Sequence, residues 1–214
     1  MTPEHFAPTT AAERERVFNH IFQTNCWAAE ETRSGSGSRK VETRGVVSQL
    51  PGLLDRLKVR SLIDVCGDFN WQFEVLQRTN MLESYLGIDI VPAAVEAARK
   101  RFEQEVTEIE PRVAFRACDI VHGDLPAADA ILLRDVLVHL KTGDVFASLD
   151  NLRRAGIRYL IATTFPSFEN TEIDTGWWRV LNLEVTPFEL GPALEILDEL
   201  NPEVPRKSLG VWPL

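Results

Sequence analysis

SLIDVCGDFNW, the stretch from Ser61 to Trp71, decides the fold. Ser61 to Val65 reads as a short buried strand, apolar at Leu62, Ile63 and Val65, with Asp64 set near its end. The run breaks at Cys66-Gly67-Asp68, and a helix-like segment begins near Asn70. A strand that ends in a tight glycine turn and feeds a helix is the opening unit of a doubly wound α/β sheet. Such sheets bind ligands at the carboxyl ends of their strands. Free backbone N–H groups at the helix start also receive polar ligands there.

The residues of this turn narrow the ligand. A dinucleotide site needs three glycines so that the backbone can approach a pyrophosphate. Only Gly67 is present, a bulky Phe69 follows Asp68, and no phosphate-binding Gly-Lys-Ser/Thr run occurs. Asp64 and Asp68 repel phosphates and suit a cation. S-adenosylmethionine carries a sulfonium and an ammonium and no phosphate, so it fits better than NAD.

Strand and helix patterns continue to alternate downstream. Tyr85–Ile90 is a second strand containing Asp89, and Pro92–Glu105 is a helix with proline in its first turn. Val113–Arg116 is a third strand, followed by Asp119 and Ile120. Ala128–Leu133 is a fourth, running into Arg134-Asp135 and on to His139. A helix over Asp144–Arg154 and a strand over Ile157–Thr163 complete the alternation, the mark of a parallel sheet with crossovers. Asp64, Asp89, Asp119 and Asp135 each fall at or just after a strand end, so the topology gathers all four at one edge. Asp89 lies 25 residues beyond Asp64, a spacing suited to ribose hydroxyls. Pro192–Leu200 and Lys207–Leu214 are read as two last strands, an antiparallel hairpin that completes seven.

Upstream, Met1–Thr10 reads as a loose arm, Ala11–Gln23 as a helix with Val17, Ile21 and Phe22 on one face, and Val46–Leu57 as another helix. Between them, Ser34-Gly35-Ser36-Gly37-Ser38 is flexible by composition and reads as a linker or as a cover over the ligand, with Trp27 and Arg33 as contacts. The expected organisation is a single domain: a helical arm and Ser/Gly-rich loop over 1–45, then a cofactor-binding unit over 46–214. The fold expected is α/β, Rossmann-like and doubly wound, with an N-terminal helical extension.

The chain has 214 residues, a net charge of −9 and three cysteines with no CxxC pair. The acidity argues against nucleic acid and anionic membranes as partners. Cysteine spacing, with no apolar run of spanning length and no signal-like start, points to a cytoplasmic protein. Oligomeric state is not legible.

The pattern resembles the Rossmann-like S-adenosylmethionine-dependent methyltransferases, from about Trp27 to the end. It is most similar to a bacterial small-molecule subgroup. The shared features are Trp27, the Ser34–Ser38 loop, the Cys66–Trp71 turn, Arg134-Asp135 with His139, Pro187-Phe188 and the closing Leu209-Gly210-Val211-Trp212. The subgroup usually has one more residue between the strand acid and Cys-Gly; here only Val65 intervenes. The resemblance implies Asp64, Gly67 and Asp68 around the methionine end of the cofactor, Asp89 at ribose, and Asp119 and Ile120 at adenine. Trp27, Ser38, Cys66, Trp71, Ile90 and Arg134 complete the expected cofactor set, with S-adenosylhomocysteine as product and no metal.

For the chemistry, Asp135 and His139 are four apart and would share a helical face. Asp135 could hold an acceptor amine or hydroxyl, and His139 could take a proton, since imidazole titrates near neutrality. Asn170, Trp177, Trp178, Arg179 and Asn182, in a long irregular segment past the fifth strand, are the expected substrate contacts. The leading expectation is methyl transfer to N or O of a small polar metabolite, such as an amino sugar or natural-product intermediate. The alternatives are a non-catalytic S-adenosylmethionine- or nucleoside-binding module and, less favoured for want of glycines, an NAD-linked oxidoreductase.

Overall fold

The computed structural model describes residues 8–105, 109–200, 204 and 206–214. Residues 1–7 of the expected loose arm lie outside that description, but Thr9 is buried and hydrogen-bonded, so the arm is fixed from there onward.

Helix α1 (Ala11–Thr24) starts where Thr10 caps the N–H of Glu13 and ends at Asn25 in the left-handed region. Helix α2 (Arg44–Arg56) then buries Val46, Val47, Leu50, Leu53 and Leu54 on one side. The alternation follows: β1 (Ser61–Val65), α3 (Gln72–Leu76), β2 (Ser84–Asp89), α4 (Pro92–Glu105), β3 (Arg112–Ala117), β4 (Ala130–Leu133), α5 (Thr142–Ala155) and β5 (Tyr159–Thr164). Gly156 at φ 76° stops α5, a conformation that costs glycine least. The chain closes with β6 (Glu195–Asp198) and β7 (Ser208–Pro213).

The seven strands form one sheet in the order β3-β2-β1-β4-β5-β7-β6. Strands β1 to β5 are parallel, and β7 runs antiparallel to both β5 and β6. The expected architecture therefore stands, terminal antiparallel strands included. Successive strand residues face opposite sides. Leu62, Tyr85, Leu132 and Ile161 pack into the layer under α2, while Ile63, Ile131, Leu133 and Leu160 pack with Leu149 and Leu152 of α5.

Strand order reverses between β1 and β4, and that is where a doubly wound sheet opens a crevice at its carboxyl edge. Two expectations change here. The segment after β4 is no α-helix: Leu137–His139 form only a 3-10 turn, entered through Asp135 at φ 55°. The Ser/Gly run is an ordered crossing with its own 3-10 turn at Ser36–Ser38.

Candidate active site

At the carboxyl edge lies a cavity enclosing about 980 Å³ of empty space, its open mouth included. Asp64, Asp89, Asp119 and Asp135 all line it, as do Cys66, Gly67, Ile90 and Ile120 from the same edge. Gly67 sits at φ 53°, and a Cβ there would collide with the Ser34 hydroxyl, so the β1 turn and the Ser/Gly run can close together only over a glycine.

The four carboxylates are not alike. Asp64 is buried and accepts a 2.7 Å hydrogen bond from the Tyr85 hydroxyl. Burial pushes its pKa up to about 7 against that bond. Asp89 accepts from the Val91 N–H at 2.8 Å, and burial pushes its pKa up to about 6. Asp119 accepts from the Val121 N–H at 3.0 Å and pairs with Arg14 at 2.6 Å. Asp135 is bonded to Lys207, with Arg134 at 3.4 Å. Burial opposes its ionisation, but Lys207 and Arg134 outweigh burial and hold it well below the usual carboxylate range.

Asp68 behaves differently from expectation. It is not on the cavity wall; it accepts from the Thr32 hydroxyl at 2.6 Å, the Arg33 N–H at 3.0 Å and the Ser34 hydroxyl at 2.9 Å. Its charge anchors the Ser/Gly crossing. Arg134 anchors the other end: it bonds Gly37 O at 2.9 Å, forks onto Glu199 at 3.2 and 2.7 Å, and lies 5.5 Å over the Trp71 ring. Between these anchors Ser34, Ser38, Trp27 and Arg33 reach the cavity. The Arg33 guanidinium has no hydrogen bond or ion pair among the described residues.

His139 is reached through Trp27, whose ring stacks on it at 4.6 Å, and through the Trp177 carbonyl, 2.8 Å from Nδ1. A carbonyl only accepts, so Nδ1 carries the proton and Nε2 holds the lone pair. Nothing among the described residues bonds to Nε2. Burial lowers the His139 pKa, partly offset by the Trp177 carbonyl and Asp135, so the ring is neutral at pH 7.

The expected substrate residues lie apart from the cavity wall. Asn170 bridges Asn182 O and Thr186 O, and Asn182 bonds Phe168 O, so this pair folds its own loop. Arg179 is buried against Leu140 O at 2.7 Å and Thr142 Oγ1 at 3.0 Å. Trp177 and Trp178 are 71% and 49% exposed, and Trp177 reaches the site only through its carbonyl.

The reading of the sequence missed α1 as a wall. Phe18, Ile21 and Phe22 line the cavity, and Arg14 lies four residues before Phe18, so it shares their face. Arg14 bonds Asp119, Asp144 at 2.8 Å and His122 at 2.9 Å. That i, i+4 relation to Phe18 was the available signal. Among the described residues no group of three His, Cys, Asp or Glu side chains could hold a metal.

Residues 66–155, from the β1 turn to the end of α5, match a family described as a methyltransferase domain. The match spans the turn, Asp89, Asp119, Asp135 and His139. No curated protein matches the chain in sequence. Among solved structures, the chain is similar to the magnesium protoporphyrin IX methyltransferase of Synechocystis with bound S-adenosylmethionine. The TM-score is 0.65 at 13% identity, covering 95% of this chain and 96% of that one. It is also similar to Haemonchus contortus phosphoethanolamine N-methyltransferase 1 in complex with phosphoethanolamine and S-adenosylhomocysteine (TM-score 0.66, 11% identity, 96% of this chain, 50% of that one). The methyltransferase domain of bacterial CtHen1 is a third (0.58, 18%, 82% and 100%). At these identities the likeness is one of fold.

Proposed function

We propose that the protein transfers a methyl group from S-adenosylmethionine to an N or O atom of a small molecule. The observation that carries this is the cavity itself: Asp64 and Asp89 at the β1 and β2 ends share one space with a neutral His139 beyond β4. When bound, the cofactor supplies an activated methyl on a sulfonium. The donor set fits it. Asp64 offers a carboxylate to a cation, Asp89 accepts from ribose hydroxyls, and the unpaired Arg33 suits a carboxylate. Ile90 and Ile120 give the base an apolar slot, with the Asp119 edge beside it. Cys66, Gly67, Trp71 and Ser38 close the remainder.

On this reading residues 1–45 form the cover and 46–214 the cofactor-binding unit. Asp68 acts by holding the cover, and Arg134 does so in part. His139 acts on the acceptor: its Nε2 receives a proton while the Trp177 carbonyl keeps Nδ1–H in place. The two neighbours solved with S-adenosylmethionine or S-adenosylhomocysteine support the cofactor.

Calorimetry with S-adenosylhomocysteine at pH 8 tests the proposal. Asp89→Ala should weaken binding by about 1.5–3 kcal/mol, the loss of charge-assisted hydrogen bonds. No binding to the wild-type protein, or unchanged affinity in the variant, would remove the cofactor or Asp89 respectively.

A further inference from the structure

Resting on the methyl-transfer reading, we infer that the acceptor is an uncharged, hydroxyl-bearing molecule with a largely apolar body, and that transfer goes to its oxygen. The ground is the charge state of the cavity wall beyond β4. Asp135 is the carboxylate there, and it is already spent. Its Oδ2 meets both Lys207 and Arg134, and the Thr163 hydroxyl lies 3.4 Å from Oδ1. Glu199 shares the same two cations, with Arg134 at 2.7 Å and Lys207 at 3.4 Å. Two buried cations against two carboxylates leave no net negative charge. The two other carboxylates on the wall without a cation, Asp64 and Asp89, belong to the cofactor on this reading, and Arg33, without a partner among the described residues, is positive.

An alkylamine arrives as an ammonium, because such amines titrate near pH 10. At this wall it would lose water without gaining a counter-ion, a costly exchange. A hydroxyl loses less on desolvation and can donate to Nε2 of His139, which has no bond among the described residues. The same cavity is lined by the apolar Phe18, Phe22, Val136 and Leu140, and Trp27 stacks on the imidazole. That lining suits a ring or branched aliphatic body. In the transfer, a lone pair of the acceptor oxygen forms the new carbon–oxygen bond. The methyl carbon's bond to sulfur breaks with its electron pair left on sulfur, and the hydroxyl proton passes to Nε2 of His139.

Calorimetry on protein saturated with S-adenosylhomocysteine tests this, using matched pairs at pH 7.5: benzyl alcohol against benzylamine, and naphthylmethanol against naphthylmethylamine. The expected result is that the alcohol of at least one pair binds about ten-fold or more tighter than its amine, a difference of about 1.4 kcal/mol. Lys207→Met releases the Asp135 carboxylate and should move that ratio toward the amine by about ten-fold. Equal affinities, an amine preference, or no alcohol binding while S-adenosylhomocysteine binds would each overturn the inference and leave the cofactor reading standing. Failure of S-adenosylhomocysteine to bind would instead remove the reading beneath it. If Lys207→Met does not fold, the wild-type comparison decides alone.

Discussion

Arg14 Nη2 lies 2.6 Å from Asp119 Oδ2, tying the first helix of the chain to the carboxyl end of the third strand. The same guanidinium reaches Asp144 Oδ1 at 2.8 Å, and its side chain is 1% exposed. Thr9 bonds both Asp144 oxygens, at 2.9 and 2.6 Å. Because α1 supplies Phe18, Ile21 and Phe22 to the cavity wall, this buried cluster is what holds that wall in position.

Removing Arg14 leaves two carboxylates without their cation, which for buried pairs costs about 3–5 kcal/mol. Arg14→Met should therefore lower the melting temperature by roughly 6–20 °C, at about 2–4 °C per kcal/mol for a chain of this size. The double change Arg14→Met with Asp119→Asn should recover part of the loss, since one stranded charge is gone. Thermal denaturation of the three proteins checks this; a double variant no more stable than Arg14→Met would mean that Asp119 is not the stranded charge.

Legibility in the sequence followed the range of the interaction. The sheet was readable because a strand's apolar pattern is local: Leu62 and Ile63 announce opposite faces from adjacent positions. The four strand-end acids were readable for the same reason, and all four line the cavity. What each acid does was not. Asp68 looks like a ligand-facing turn residue until Thr32, 36 positions earlier, claims it. Asp135 looks free until Lys207, 72 positions later, neutralises it. Arg179 looks like a substrate contact until it turns back to Leu140, 39 positions earlier. Spacing predicts which side chains share a face, not which distant partner reaches them first. The helix expected over Asp135–His139 failed on a local ground: Asp135 at φ 55° breaks the helical path, and only three residues of 3-10 turn follow.

The raised pKa values of Asp64 and Asp89 make stability and cofactor affinity run oppositely with pH. An acid held above its unfolded value binds its proton more tightly when folded. The stability this adds is fully present below pH 4 and is lost as pH rises through about 6 for Asp89 and about 7 for Asp64. Asp64→Asn should therefore flatten the fall in ligand-free stability between pH 5.5 and 8. S-adenosylhomocysteine needs both groups ionised, so its affinity should rise over that range, with proton release visible by calorimetry in buffers of different ionisation enthalpy. Affinity independent of pH would show that neither carboxylate meets the ligand.

Asp68→Ala should loosen the Ser/Gly crossing without touching the cavity wall. It removes the acceptor of the Thr32, Arg33 and Ser34 bonds, leaving Arg134 to hold Gly37. Hydrogen exchange over residues 32–38 should accelerate in the ligand-free variant and slow again when S-adenosylhomocysteine binds, with affinity reduced by the cost of ordering the segment. Wild-type exchange rates in the variant would assign the order of this crossing to Arg134 and to Asn70, whose Nδ2 donates to Ser38 O at 2.8 Å.

The last prediction concerns His139 as base. Burial, first, and the Lys207 ammonium lower its pKa, while the Trp177 carbonyl and Asp135 raise it. The net lowering puts the rising limb of turnover against pH below 6.5, because only the neutral ring accepts a proton. Lys207→Met removes a cation and should move that limb to higher pH. Asp135→Asn removes an anion and should move it to lower pH. A merely structural role for either residue would change turnover at every pH without moving the limb, so the opposite shifts separate the two cases. His139→Ala should abolish the limb and lower turnover by about 10²–10⁴-fold. Affinity for S-adenosylhomocysteine should change little, since His139 serves the acceptor. A His139→Ala protein that keeps both the limb and full turnover would leave alignment of the acceptor, with no proton transfer to the protein, as the whole of the catalysis.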